Sequence, residues 1–117
     1  MSSFDQYTDI YAEGSSNGRP IPIVGTGIST ADLLHSIGIS TENKLWAYAV
    51  NSAGATGSLT LRIGEQEETV GFGEYDRRNI IGPDELLRFG VTLSAFCTGG
   101  SFTVHFRAKE RSTLSTI

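Results

Sequence analysis

Two alternating runs meet at Gly99-Gly100, and they constrain the fold more than any other stretch of the chain. Upstream, Leu87, Phe89, Val91, Leu93 and Ala95 alternate with Arg88, Gly90, Thr92 and Ser94. Downstream, Phe102, Val104, Phe106 and Ala108 alternate with Ser101, Thr103, His105 and Arg107. Successive side chains of a β-strand point to opposite faces, so a sustained period of two marks strands with one buried face. A helix would scatter the same apolar residues around its axis. Thr98-Gly99-Gly100 reads as a tight turn, and the whole unit as an antiparallel β-hairpin.

The same period recurs upstream. Leu33, His35, Ile37 and Ile39 share one face, and Ser40 to Asn43 is expected to turn. Lys44 to Asn51 is apolar on both faces, with Leu45, Ala47 and Ala49 opposite Trp46, Tyr48 and Val50. Such a strand lies between two layers or at a subunit contact. Ser58 to Ile63 alternates Leu59, Leu61 and Ile63 with polar residues, Glu67 to Phe72 is a short strand, and so is Arg77 to Ile81. Gly82-Pro83-Asp84-Glu85 is expected to turn before the last hairpin. No segment carries a helical period beyond a single turn at Asp84 to Arg88. Short strands separated by turns every ~8–12 residues predict an all-β fold, an antiparallel β-sandwich of jelly-roll type. Composition agrees: 14 glycines, 13 serines and 12 threonines in 117 residues fall mostly between the alternating runs.

The first thirty residues lack sustained periodicity. Gln6 to Ala12 can form one strand, Asn17-Gly18 is a turn dipeptide, and Arg19-Pro20-Ile21-Pro22 is held extended by its prolines. The expected organisation is an extended N-terminal arm or edge strand over 1–30, outside the core, a β-sandwich domain over 31–108 and a C-terminal tail over 109–117.

Charge narrows the function. Nine Lys and Arg against 13 Asp and Glu give a net charge of −4 and a pI near 5.0. Binding nucleic acid needs clustered positive charge, so no nucleic-acid partner is expected. No apolar run reaches the ~18–20 residues of a membrane span, and Met1 to Asp5 has no leader character, so no membrane partner is expected. One cysteine excludes an internal disulfide framework. Cys97 has inward parity and is expected in the core. His35 and His105 sit on different strands without ligand spacing, so no metal, no cofactor and no catalytic residues are expected. Gly25-Thr26-Gly27 is followed by neither a third glycine nor a helix, and no Gly-x-Ser-x-Gly elbow is present. Glu65, Glu67, Glu68, Glu74 and Asp76 form an acidic stretch on turns, ahead of Arg77-Arg78.

What remains is contact chemistry. Trp46 and Tyr48 share a strand face, and Arg77 and Arg78 carry planar forks suited to bidentate pairing across an interface. Arg19, Pro20, Ile21 and Pro22 can lie extended across a partner. These eight residues are the interface candidates.

The order of motifs also resembles a known group. His35 to Ala55 contains Trp46-Ala-Tyr-Ala-Val-Asn51, and Leu59-Thr-Leu-Arg-Ile-Gly64 follows. Then come Ile80-Ile-Gly-Pro-Asp-Glu-Leu-Leu87 and the final alternating runs. Over residues 31–108 this resembles the small β-sandwich decoration, or cement, proteins of tailed-phage capsids. The resemblance implies a non-enzymatic virion protein made in the host cytoplasm that clamps neighbouring major capsid subunits on the capsid surface. It implies a homo-oligomer, a trimer before a dimer. Two other expectations stand beside it: a carbohydrate- or receptor-binding module of a tail or fibre, using Trp46 and Tyr48, and a head–tail completion or tail structural protein.

Overall fold

The computed structural model describes residues 7–15, 17–38, 41–88 and 91–112, and the side chains of all of these except 83–88. The strands are β1 (Thr8–Ile10), β2 (Ile21–Ile23), β3 (Asp32–Ser36), β4 (Thr41–Asn51) and β5 (Gly57–Ile63). They continue with β6 (Gln66–Phe72), β7 (Arg77–Arg88), β8 (Thr92–Gly99) and β9 (Phe102–Ser112). Among the described residues one 3-10 turn, Ile28–Thr30, interrupts the β structure.

The strands form two antiparallel sheets packed face to face. The first runs β1–β9–β4–β7, with β2 also on β9, and the second runs β3–β8–β5–β6. β1 pairs with residues 108–110 of β9 and β2 with residues 102–104, so the two occupy one strand position interrupted by residues 11–20. Eight strand positions in this order make the jelly-roll arrangement of the sandwich. Leu45, Ala47 and Ala49 of β4, Val104 of β9 and Ile81 of β7 face Leu59 and Leu61 of β5 and Leu93 and Ala95 of β8 across the core.

Several sequence expectations need correction. The two runs around Gly99-Gly100 do not form a hairpin: β8 belongs to one sheet and β9 to the other, so the glycines turn a corner between sheets. Both carry positive φ, 69° and 71°, which lets the chain reverse there without Cβ strain. One buried face is equally compatible with strands side by side or facing each other across a core, and alternation alone does not distinguish them. The expected upstream run is also divided, since 87–88 closes β7 and β8 starts at Thr92. Phe89 and Gly90 lie outside the described residues.

The expected turn at Gly82 to Glu85 is instead a bulge inside β7. Leu45 pairs with Glu85 and Ala47 with Ile81, so three residues of β7 stand against Trp46 alone. Gly82 takes φ 80°, and β7 is an edge strand, where proline is tolerated. A second bulge lies between Leu33 and His35. It turns Leu34 inward and leaves Leu33 42 % exposed, opposite to the expected parity. Thr41 to Asn43 extends β4, where a turn was expected; Ile39 and Ser40 lie outside the described residues.

The N-terminal segment is part of the sandwich. Ala12, Ile21 and Ile23 are core residues, so the placement of 1–30 outside the core is wrong, although its strands do sit at the sheet edge. The Asp32 carboxylate accepts the backbone N–H groups of Val24 and Gly25 at 2.8 Å each, and the Gly25 carbonyl accepts the Cys97 N–H. At the other terminus β9 continues to Ser112, so 109–112 is strand, while 113–117 and 1–6 lie outside the described residues.

Candidate functional site

The outer face of the first sheet is the feature that packing leaves unexplained. On β4 the small inward residues Ala47 and Ala49 fill the core, which sends Trp46 and Tyr48 outward. Directly paired residues on neighbouring strands share a face, so Arg107 stands beside Trp46 and His105 beside Tyr48 on β9. Arg77 opens β7 on the opposite side of β4, paired with Val50.

These side chains stack. The His105 and Tyr48 rings lie 4.5 Å apart at 7°. The Arg77 guanidinium sits 3.9 Å from the centre of the Tyr48 ring, and that of Arg107 lies 5.4 Å from the centre of Trp46. Because β4 runs between β7 and β9, Tyr48 is flanked from both neighbouring strands. The cations gain quadrupole attraction from the rings, and their N–H edges are left for another partner.

Two adjoining grooves follow from this layout. One, of about 350 Å³, is lined by Gly18, Trp46, Tyr48, Arg77, His105, Phe106 and Arg107. The other, of about 610 Å³, continues past Trp46 to Lys44, Lys109, Asp9 and Tyr11. At its far end Lys44 lies 4.5 Å from the centre of the Tyr7 ring. Glu42 is almost fully buried there and is engaged by the Tyr7 hydroxyl and by Arg111.

The electrostatics of the smaller groove are one-sided, with two arginines and no carboxylate in its lining. Desolvation, and then the charge of Arg77, hold His105 below the ordinary histidine range, so its ring favours the neutral form. Arg78, one residue from Arg77, behaves differently. Its guanidinium binds Asp76 at 2.9 Å, and this bond, with the Gly73 N–H, keeps the Asp76 carboxyl below the usual carboxylate range.

The structure brings Trp46, Tyr48 and Arg77 together on one face. Arg78 is spent on its own chain's Asp76, and Ile21 is buried. Arg19, Pro20 and Pro22 are exposed beyond Gly18, which itself lines both grooves. Cys97 is buried, and burial with the nearby Asp32 charge raises its thiol above the normal range, the reverse of an activated nucleophile. Among the described residues no group of three or more His, Cys, Asp and Glu is placed to hold a metal ion. His35 is a core residue: its Nδ1 accepts the Glu13 N–H, so in the neutral ring Nε2–H donates to Asn43 at 2.7 Å. Sequence reasoning missed His105 and Arg107 as partners of the aromatic pair. Their outward parity on β9 was visible, but the β4–β9 register that sets them beside Tyr48 and Trp46 was not.

No family model matches the chain, and no curated protein matches it. Among solved structures it is similar to a GH26-CBM35 β-(1,4)-mannanase from Podospora anserina, at 13 % identity and a TM-score of 0.40. The match covers 97 % of this chain and 29 % of the mannanase chain.

Proposed function

We propose that this chain is a non-enzymatic structural protein of a tailed-phage virion, one that decorates the capsid and stabilises it by bridging neighbouring major capsid subunits. The observation that supports the reading most is the outer face of the first sheet. Trp, Tyr and Arg are the residue types that dominate binding energy at protein interfaces, where single truncations cost ~2 kcal/mol or more. Here Trp46, Tyr48, Arg77 and Arg107 are gathered on a sheet face that the fold does not need to cover. A ligand that binds only the assembled shell stabilises it by mass action, so modest affinity per copy is enough when many copies act. The bulged edge of β7 and the charged edge of β6, with Glu67 and Glu68, discourage unwanted strand pairing in such a crowded setting.

Stacking geometry weighs against the sugar-binding alternative. A pyranose ring stacks on a bare aromatic face, whereas Tyr48 is flanked by Arg77 and His105. The test is stoichiometry: quantitative mass spectrometry of purified particles from the phage encoding this chain. The expected result is a copy number comparable to that of the major capsid protein. Absence from particles, or the few copies of a tail or neck component, would remove this reading.

A further inference from the structure

The smaller groove holds two cations that no described residue neutralises. Seven arginines and two lysines are set against thirteen acidic residues, yet among the described residues Arg77 and Arg107 form no ion pair. Other arginines have found acids: Arg62 pairs with Glu67, Arg78 with Asp76 and Arg111 with Glu42. In an acidic protein, two guanidinium groups held against aromatic rings in a groove lined by no carboxylate are a concentrated local charge, and Asp9 lines only the adjoining groove, which Arg107 shares. His105 reports that charge, since after burial Arg77 is what disfavours its protonation. The stacking partners also fix the orientation of both forks, which reduces the rotamer entropy lost on binding.

We infer that the surface covering this face is acidic and places carboxylates on the guanidinium groups of Arg77 and Arg107, with Trp46 and Tyr48 as the apolar floor between them. This rests on the decoration reading and specifies the chemistry of the partner. A carboxylate-bearing protein surface suits the site better than a nucleic acid or another long polyanion. The cationic part of the sheet face is short, with two arginines in the lining of the smaller groove, so a few carboxylates placed by a protein surface match it better than the many charges of a long polymer. An acidic sugar lacks a bare ring face at Tyr48 on which to stack.

Trp46 is the chain's one tryptophan, so its fluorescence reads the site directly. The full chain is titrated in low salt with an oligoglutamate peptide, an oligoglutamine peptide, oligogalacturonate and single-stranded oligonucleotide. The expected result is a saturable change with oligoglutamate, none with oligoglutamine, and weaker responses to the other two anions. Arg77→Gln with Arg107→Gln should weaken oligoglutamate binding at least tenfold, and Arg62→Gln, on the other sheet, should leave it unchanged. If the double variant fails to fold, Arg107→Gln alone is expected to weaken binding several-fold. The inference is overturned by an absent oligoglutamate response, by one that survives these substitutions, or by tighter binding of oligogalacturonate or oligonucleotide. A chain that is abundant in particles but blind to oligoglutamate overturns this inference alone. A chain that binds oligoglutamate but is absent from particles overturns the decoration reading alone.

Discussion

Asn51 ends β4 and is fully buried, yet every polar atom of its side chain has a partner. Nδ2 donates to the carbonyls of Ala55 and Gly73 at 2.9 Å each, and Oδ1 accepts the N–H groups of Ala53 and Ser101 at 3.1 Å each. One amide therefore ties together three loops at one end of the sandwich, those after β4, β6 and β8. Replacing Asn51 by Ala should destabilise the protein by about 2–3 kcal/mol, because the groups it served lose partners in a partly buried place. A urea midpoint lowered at unchanged slope would show it; an unchanged midpoint would mean that water replaces the amide freely. His105 carries a pH dependence. Its folded pKa lies below the unfolded value, so the unfolded state binds more protons between the two. Stability is then highest above the unfolded value of ~6.5 and falls as pH drops towards the folded pKa. In His105→Gln the slope of thermal midpoint against pH through this window should flatten, and an unaltered slope would locate the effect elsewhere. Both residues were visible as letters in the sequence, but neither role was. Asn51 looked like the polar end of a strand, because its partners are loops fixed only after folding.

At the scale of elements, β4 and β5 were legible because each presents a clean inward series, Leu45-Ala47-Ala49 and Leu59-Leu61, to a single core. The errors have a common physical origin, since alternation reports which face is buried but not which sheet the strand joins. That is why β8 and β9 looked like a hairpin when they face each other across the core. Bulges were invisible for a related reason: an inserted residue inverts parity locally, as at Leu34, and a Gly-Pro pair in an edge strand carries the same letters as a turn. The corner itself is testable. A Cβ on Gly100 would stand 2.9 Å from the Phe102 ring and 3.0 Å from Asn51 Oδ1, at a φ of 71°. Gly100→Ala should therefore cost about 1–3 kcal/mol, combining left-handed strain with pressure on the Asn51 network. Gly71→Ala in β6 is the control, since a Cβ there meets nothing within 4 Å and its expected effect is within about 0.5 kcal/mol of zero. Equal thermal midpoints for the two variants would show that the corner is not strained by a side chain.

At the scale of the whole molecule, the chain closes on itself. Its first strand position, β1 with β2, pairs with its last strand, β9, and this edge completes both the first sheet and the core beneath it. The prolines and glycines of residues 14–27 suggested an arm outside the core; a strand within Gln6 to Ala12 and an extended Arg19 to Pro22 were legible, but Thr8–Ile10 and Ile21–Ile23 are too short for periodicity to reveal that they join the sheet and its core. Ile21 and Ile23 are only 4 % and 5 % exposed, and losing a buried isoleucine costs ~2–4 kcal/mol. Removing both consumes about 4–8 kcal/mol of a total stability that for domains of this size is ~5–15 kcal/mol. The backbone pairing of Gly25 with Cys97 is lost as well. A chain beginning at residue 31 should therefore lack a cooperative thermal transition and near-ultraviolet dichroism while the full chain shows both. A truncated chain that melts cooperatively close to the full-length midpoint would restore the arm as a separate unit. It follows that deletion cannot separate docking from folding at this end of the molecule. The exposed residues Arg19 and Pro20, replaced singly by Ala, can do so: each should change stability by less than about 0.5 kcal/mol, so any loss of particle binding they cause belongs to contact.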